Sequence, residues 1–160
     1  MIFNLDKVNH VGIVVKDLDA AMKLYWEAYG LGPWKVTSYG PPSTTDNTFR
    51  GKPVKHRYIV AEALRGSVEI IQHLHGDTVY KEFLQKKRIG LHHIAYLTND
   101  IEPVLAKVKE AGIKVIQSGR YGEDSYHYLD TERKFGFMIE LVTDHGWMPA
   151  ERWYPEGMTW

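Results

Sequence analysis

The 160-residue sequence contains no cysteine, so it has no disulfide framework, no thiolate metal site and no cysteine nucleophile. It also has no apolar run near the ~20 residues that span a membrane. Its start, MIFNLDKVNH, lacks the basic stretch and apolar core of a secretory signal. We therefore expect a cytoplasmic protein without a membrane partner.

The sequence has no net charge, because 20 lysines and arginines balance 20 aspartates and glutamates. It therefore lacks the basic excess of a dedicated nucleic-acid-binding protein. Hydrophobic residues make up 44% of the chain, and its length suffices for one well-buried domain. We expect a small-molecule partner and a homodimer.

Two stretches of the chain repeat each other at an offset of 83 residues. The first, VNHVGIVVKDLDAAMKLYWEAYGL, covers 8–31, and the second, LHHIAYLTNDIEPVLAKVKEAGI, covers 91–113. The offset aligns His10 with His93. Each copy later returns to an apolar run that holds one acid, in SVEIIQ and in FMIELV. The repeat therefore predicts two similar modules with matching polar residues.

Hydrophobic periodicity predicts the element order β-α-β-β-β in each copy. The predicted elements are strand 7–15, a helix from Asp17 or Asp19 to Gly30, strands 34–39, 56–62 and 67–74, then strand 91–98, helix 100–111, strand 113–118 and a hairpin over 125–143. Residues 40–55 are predicted to form a long polar loop. Neither half can bury both of its faces alone, so the halves should pair in one sheet.

The predicted fold is therefore α+β, with two tandem modules that form one curved, cup-shaped mixed sheet in a single domain. Module one covers about 5–75, a charged helical linker 77–88, and module two about 90–144. The tail, 145–160, holds three of the five tryptophans. Its aromatic side chains should cover either a neighbouring subunit or the mouth of the cup.

Four polar residues lie inside the apolar strands at repeat-related positions: His10, Glu69, His93 and Glu140. Glutamate is seldom fully buried unless it is paired or bound to a metal. Two histidines and two carboxylates brought together form a site for a first-row divalent metal ion. Alternatively, each glutamate points outward from an edge strand and each histidine is a hydrogen-bonded core residue. Strand alternation places His92 on the face opposite His93, where we expect it to pack against a helix.

The pattern H-x-G-I-x-V-x-D-L-x-x-A, the second motif G-L-H-H-I-A and the I-E-L strand resemble the vicinal oxygen chelate superfamily. This superfamily includes methylmalonyl-CoA epimerase, lactoylglutathione lyase, extradiol dioxygenases and the bleomycin- and fosfomycin-resistance proteins. The similarity covers 5–144 and is strongest to the epimerase and glyoxalase-like relatives. It implies that His93, rather than His92, is a metal ligand together with His10, Glu69 and Glu140.

The resemblance implies a metal-dependent isomerase or epimerase, or a glyoxalase-type lyase. One divalent ion (manganese, iron, cobalt, nickel or zinc) would have two open positions for adjacent substrate oxygens. As a Lewis acid it would stabilise the enediolate or enolate that forms when the neighbouring C–H loses its proton. The resemblance to lactoylglutathione lyase makes Glu140 the first candidate for the base.

The chain departs from the epimerase pattern in residues 55–60, which contain no acid where the epimerase has an additional catalytic glutamate. If the hairpin turn has an even number of residues, His56 and Tyr58 share the face of Glu69 and line the pocket. His56 would then act as a base near neutral pH, and Tyr58 would orient a substrate oxygen. Two polar residues in a half-exposed strand are the alternative.

Two other functions agree with parts of the pattern. An extradiol-type dioxygenase holds iron with two histidines and one carboxylate, but Glu69 would fill the position that oxygen chemistry needs open. A non-catalytic drug-binding protein usually lacks the metal ligands, whereas this chain has all four.

Overall fold

The computed structural model describes residues 7–143 and 148–160. In chain order the elements are β1 (Val8–Val15), α1 (Leu18–Tyr29), β2 (Trp34–Tyr39), β3 (Thr45–Phe49), β4 (Lys52–Pro53), β5 (Arg57–Ala63), β6 (Val68–His75), α2 (Val79–Gln85), β7 (Gly90–Leu97), α3 (Ile101–Glu110), β8 (Val115–Tyr121), β9 (Asp124–Leu129), α4 (Glu132–Phe135), β10 (Met138–Val142) and β11 (Arg152–Tyr154). None of these helices is both long enough and apolar enough to cross a membrane.

All the strands of the described ranges belong to one mixed sheet, in the order β11-β2-β5-β6-β1-β7-β10-β9-β8-β3-β4. The predicted α+β class with one curved sheet is confirmed. The first half of the chain contributes β2-β5-β6-β1 and the second half repeats this order in reverse as β7-β10-β9-β8. β1 and β7 pair antiparallel where the halves meet. Each of these two central strands carries one of the repeat-related histidines.

The sequence pattern explains why helix α1 begins and ends where it does. The Asp17 carboxylate accepts a hydrogen bond from the Ala20 N–H at 3.0 Å, as an N-cap does. Gly30 ends the helix with a φ of 65°, a conformation that costs glycine little. At the equivalent position in the second half, Asp100 makes no side-chain cap at α3. The repeat is therefore not exact in its local contacts.

The sheet has two differently packed faces. On the outer face, α1 covers one apolar cluster, which includes fully buried Met22 and Trp34, and α3 covers another around Leu141. Full burial of one such side chain contributes about 1.5–3 kcal/mol. The inner face carries a third cluster, rich in tyrosine, to which α2 contributes Val79, Tyr80 and Phe83.

The prediction of one long polar loop over 40–55 is wrong. Residues of this segment form β3 and β4, and β3 pairs with β8 at the edge of the second half. The sequence of β3, TDNTF, is mostly polar and gives no alternating apolar signal. Its pairing satisfies backbone groups along the edge of β8, so the strand depends on a distant partner.

The described part of the tail covers the opposite edge of the sheet. Strand β11 pairs antiparallel with β2, and the Glu151 carboxylate accepts hydrogen bonds from the Ser38 N–H and hydroxyl. Tyr154 packs on the outer cluster under α1, while Trp153 and Trp160 meet edge to face. The start of the predicted tail, 145–147, lies outside the described residues.

Candidate metal centre

The structure brings the four repeat-related polar residues together on the inner face. They come from the four central strands: His10 from β1, Glu69 from β6, His93 from β7 and Glu140 from β10. The Nε2 atoms of the two histidines lie 3.2 Å apart. Each Nε2 lies 3.1 Å from Glu140 Oε2, and Glu69 Oε1 lies 3.4 Å from His10 and 3.1 Å from His93. That these four side chains bind an ion stays a prediction.

The spacing of the donor atoms fits one divalent ion. Two donors that lie 2.0–2.2 Å from a common ion are about 3.0 Å apart at a right angle and about 3.4 Å apart at a tetrahedral angle. The five separations range from 3.1 to 3.4 Å. Two carboxylates also supply the charge that neutralises a divalent cation. The donor set is that of an ion such as manganese, iron, cobalt, nickel or zinc.

Each carboxylate oxygen lies within 3.4 Å of both imidazole nitrogens, and the two nitrogens lie 3.2 Å apart. The four residues would therefore hold one divalent ion jointly, and the ion would supply a Lewis acid to a substrate oxygen.

Gly12 makes room for the His93 ring. On the inner face it lies between Glu69 of β6 and His93 of β7, its register partners on either side. A Cβ atom at Gly12 would lie 1.8 Å from Cε1 of His93. The absence of a side chain at this position therefore allows His93 to lie flat over β1 and reach the other three residues.

Burial and the neighbouring carboxylates act in opposite directions on the two histidines. Burial lowers the pKa of His10, but the charges and hydrogen bonds of Glu69 and Glu140 outweigh it and raise the pKa well above its ordinary value. The pKa of His93 is raised for the same reasons. Burial raises the pKa of each glutamate, but the histidines outweigh it and hold the pKa of both below the usual range. Without an ion, the cluster therefore holds protons on the imidazoles.

A bulge in the sheet precedes each histidine. Between Val8 and His10, β1 has one extra residue, Asn9, that has no partner on β7. Opposite Gly12 and Ile13, β7 has one extra residue, His92, that has no partner on β1. Because a bulge interrupts strand alternation, the residue before each histidine can reach its ring. The His10 Nδ1–H donates to Asn9 Oδ1 at 2.7 Å, and the Nδ1 atoms of His92 and His93 lie 3.0 Å apart.

The bulge corrects one prediction about His92. This residue packs against a helix, as expected, because its ring contacts Tyr80 and Phe83 of α2. It does not point to the face opposite His93, however, since both rings contact Tyr128 in the inner cluster. Strict alternation fails here because two residues of β7 oppose one residue of β1.

A small cavity of about 40 Å³ opens beside the four residues. Glu69 and Glu140 form part of its wall, and the remainder consists of aromatic and aliphatic side chains: Tyr39, Tyr58, Val60, Tyr80, Tyr121, Tyr126, Tyr128 and Val142. Tyr58 therefore lines the cavity. The turn between β5 and β6 has four residues, 64–67, which is an even number. Tyr58 and Glu69 therefore lie on the same face of the sheet.

Helix α2 supplies a part of the wall that the sequence reasoning missed. Tyr80 lines the cavity, and its hydroxyl lies 2.7 Å from that of Tyr128. The sequence predicts a charged helical linker here, and the structure shows that the helix is packed against the cavity. Its three buried residues, Val79, Tyr80 and Phe83, share one side of the helix, and their spacing is the signal that could have identified a packed helix.

His56 lies behind the cavity wall, and the residues that line the cavity do not include it. The register of β5 and β6 shifts between Arg57 and Tyr58, so alternation does not extend back to His56. The His56 ring is fully buried, with Nε2 3.3 Å from the hydroxyl of Tyr126, which donates to Asn47 Oδ1. Burial lowers the pKa of His56, which favours the neutral ring. His56 therefore reaches the cavity through the two tyrosines that it contacts, Tyr126 and Tyr58.

A buried ion pair extends the row of polar residues across β2 and β5. Glu62 is the cross-strand partner of Glu69, and Lys35 donates to Glu62 at 2.9 Å. Burial raises the pKa of Glu62, which Lys35 only partly counters. Sequence reasoning missed this pair, although the acid in the apolar stretch YIVAEAL was the same signal that identified Glu69 and Glu140.

A larger groove of about 570 Å³ lies away from this centre, between α3, β8 and the turn after β3. Its lining residues include Leu105, Val108, Ile113 and Lys114, and no acid or histidine. The groove therefore contains none of the candidate ligands, and the chemistry of the chain is concentrated at the smaller cavity.

A model of the glyoxalase/bleomycin resistance protein/dioxygenase superfamily matches residues 9–129. An ethylmalonyl-CoA/methylmalonyl-CoA epimerase of Cereibacter sphaeroides is 31% identical over 116 residues, which cover 72% of this chain and 78% of the epimerase. An uncharacterized Bacillus subtilis protein, YqjC, is 24% identical over 146 residues, which cover 89% of this chain and 95% of YqjC.

Solved structures of related proteins have the same fold. Streptomyces coelicolor methylmalonyl-CoA epimerase in complex with 2-nitronate-propionyl-CoA superposes with a TM-score of 0.61 and 23% sequence identity. The match covers 89% of this chain and all of the epimerase chain. At this identity the likeness shows the shared fold alone.

The pKa shifts predict how the stability of the metal-free protein depends on pH. The lowered carboxylate pKa values stabilise the fold above the ordinary value of 4.5, and this contribution is lost as the pH falls. The raised histidine pKa values stabilise the fold below the ordinary value of 6.5, and this contribution is lost as the pH rises through the folded pKa. Urea unfolding should therefore show the full contribution of the cluster only between pH 4.5 and 6.5.

The replacement Glu140→Gln should flatten this dependence, whereas His75→Gln, which removes an exposed histidine, should leave it unchanged. The opposed pKa shifts of the histidines and glutamates would be contradicted by two results together. The stability of the metal-free protein would keep rising above pH 6.5, and Glu140→Gln would show the same pH dependence as wild type.

Gly12→Ala should displace the His93 ring and lower the affinity for a divalent ion by at least about tenfold. The ring is fully buried against His10, His92 and Tyr128, so it has no free space to move into. Calorimetric titration with Zn²⁺ measures the change. Ala95→Gly, opposite His10, introduces no clash and should keep the wild-type affinity. Equal affinities of Gly12→Ala and wild type would show that the position of the ring does not matter.

Proposed function

The chain belongs to the glyoxalase/bleomycin resistance protein/dioxygenase superfamily, and on that basis we propose that it is a metal-dependent epimerase or isomerase. The resemblance seen in the sequence motifs is confirmed at the level of the superfamily. The epimerase relatives support an enzyme that moves a proton next to a carbonyl group. The finer assignment rests on the residues of this chain.

The convergence of His10, Glu69, His93 and Glu140 beside a cavity is the observation that carries the proposal. These four side chains would hold one divalent ion. The ion, when bound, polarises a substrate carbonyl and thereby acidifies the neighbouring C–H. A non-catalytic binding protein would have no need of four converging ionisable groups, since their burial is costly.

Glu140 is the proposed base. It lines the cavity, where its carboxylate would accept a proton from a substrate carbon. Tyr58 lines the same cavity, and burial raises the pKa of its hydroxyl well above the ordinary value. Tyr58 therefore stays protonated and donates a hydrogen bond to a substrate oxygen that gains negative charge. His56 orients Tyr126 rather than acting as the base.

The size of the cavity restricts the group that reacts. The cavity of about 40 Å³ suits a small acyl group next to Glu140, with any larger part of the substrate outside. We propose a small 2-substituted acyl-CoA or a similar carbonyl compound, the substrate class that the Cereibacter relative's name indicates. A glyoxalase-type lyase shares the same proton transfer. The cytoplasmic location and the homodimer stay predictions.

The proposed reaction should exchange a substrate C–H with solvent without oxygen. Purified protein loaded with zinc or cobalt, incubated in D₂O with small 2-substituted acyl-CoA compounds under anaerobic conditions, should place deuterium next to the carbonyl. Mass spectrometry measures the incorporation. A chelator should abolish the exchange and added ions should restore it, because the ion acidifies the C–H.

Glu140→Gln is the matched variant for the proposed base, and Glu110→Gln, on exposed α3, is its control. Deuterium exchange should be lost in Glu140→Gln and retained in Glu110→Gln. A requirement for oxygen and ferrous iron would establish the dioxygenase function instead, and exchange that survives full metal removal would refute the metal dependence.

Tyr58→Phe should lower kcat by about 10²–10³-fold, the usual cost of removing one hydrogen-bond donor to a developing oxyanion. His56→Leu should lower kcat by less, because it acts through Tyr126. His56→Gln should restore part of the loss, since its side-chain amide can donate to the Tyr126 hydroxyl. None of these three substitutions should reduce the amount of bound metal. Tyr29→Phe, at an exposed tyrosine, is the control. Wild-type kcat in Tyr58→Phe would exclude the proposed role.

A further inference from the structure

We propose that Asn9 and His92 are positioning residues, each of which accepts the Nδ1 proton of the histidine that follows it. Both Nε2 lone pairs are thereby directed at the centre of the site. This inference rests on the proposed metal-dependent function and specifies how the chain prepares its two imidazoles.

The Nδ1 atoms of His10 and His93 each lie within hydrogen-bond distance of the preceding residue. A neutral imidazole has one N–H and one free lone pair, so a hydrogen bond from Nδ1 leaves the lone pair on Nε2. The His10 Nδ1–H donates to Asn9 Oδ1 at 2.7 Å, and the His93 Nδ1 lies 3.0 Å from the Nδ1 of His92. In both cases Nε2 is the atom that faces Glu69 and Glu140.

The backbone explains why sequence neighbours can make these contacts. Adjacent residues of a regular strand point to opposite faces. The register shifts of the β1–β7 pair occur between Val8 and His10 on β1 and beside His92 on β7. One bulge on each strand therefore brings Asn9 and His92 within reach of the ring that follows.

The two acceptors are chemically matched although the residue types differ. Asn9 and His92 occupy equivalent positions, 83 residues apart. Oδ1 of asparagine and Nδ1 of histidine are both bonded to Cγ, so each side chain presents its acceptor at the same distance from the backbone. The same arrangement thus occurs in both halves of the sheet with two different side chains.

The surroundings of His92 suit an acceptor of this kind. Its ring is buried among Tyr80, Phe83 and Tyr128, with centroid distances of 5.2, 5.0 and 5.9 Å. These aromatic rings hold the imidazole in one orientation. Nδ1 of His92 faces His93, so its lone pair is directed at the Nδ1–H of that ligand.

The test compares two pairs of variants of the full chain by calorimetric titration with Zn²⁺. Asn9→Leu and His92→Leu remove the acceptor and should each weaken zinc binding by about 10–100-fold, as is usual for the loss of such partners. Asn9→Asp and His92→Asn keep an acceptor bonded to Cγ and should bind zinc within a few-fold of wild type. His92→Asn gives the second half the residue that the first half already has.

The second readout is the Nδ1–H signal of each ligand ring in ¹H–¹⁵N spectra of the zinc-loaded protein. Wild type should show two such protons that are protected from exchange with solvent. In Asn9→Leu only the His10 proton should lose its protection, and in His92→Leu only that of His93. Each variant thus carries its own control in the other half of the site.

Zinc affinities of Asn9→Leu and His92→Leu equal to wild type, with both protons still protected, would overturn the inference and leave the proposed function standing. Failure of the wild type to bind one zinc ion per chain would refute the proposed function and the inference with it. If His92→Leu does not fold, as thermal unfolding would show, the half-buried Asn9 pair decides alone.

Discussion

Mutual charge compensation among His10, His93, Glu69 and Glu140 is the constraint on which the inner face depends. An unpaired buried charge costs several kcal/mol, and four ionisable groups lie close together here. The imidazoles keep the carboxylates ionised, and the carboxylates raise the pKa of the imidazoles. The compensation requires both halves of the chain, because each half supplies one histidine and one glutamate.

The junction between β1 and β7 adapts the sheet to this centre. Gly12 leaves the space that the ring of His93 occupies, so the ligand lies over the strand rather than beside it. The two bulges bring Asn9 and His92 to the rings that they contact. Each bulge lies directly before a candidate metal ligand, and bulges are often found next to functional sites in sheets.

The wall of the cavity has two chemically different parts. Glu69 and Glu140 bring the charge, whereas tyrosines from several strands and from α2 bring hydroxyls whose pKa burial raises. Such hydroxyls donate hydrogen bonds and resist ionisation, so they suit a substrate oxygen that gains charge. The fold thus separates a proton-accepting side from a proton-donating side within one small cavity.

The repeat and the apolar periodicity alone determined the α+β class, most element positions and the four converging polar residues, because alternation and duplication are local and readable along the chain. The sequence could not place β3, the cavity wall of α2 or His56. A polar strand exists only when a distant edge pairs with it, and a helix lines a cavity only through its docking. The contacts of His92 and Asn9 with the ligand rings could not be predicted, because strand alternation assumes a regular strand. Bulges break that rule, and they arise from how β1 and β7 pair in three dimensions.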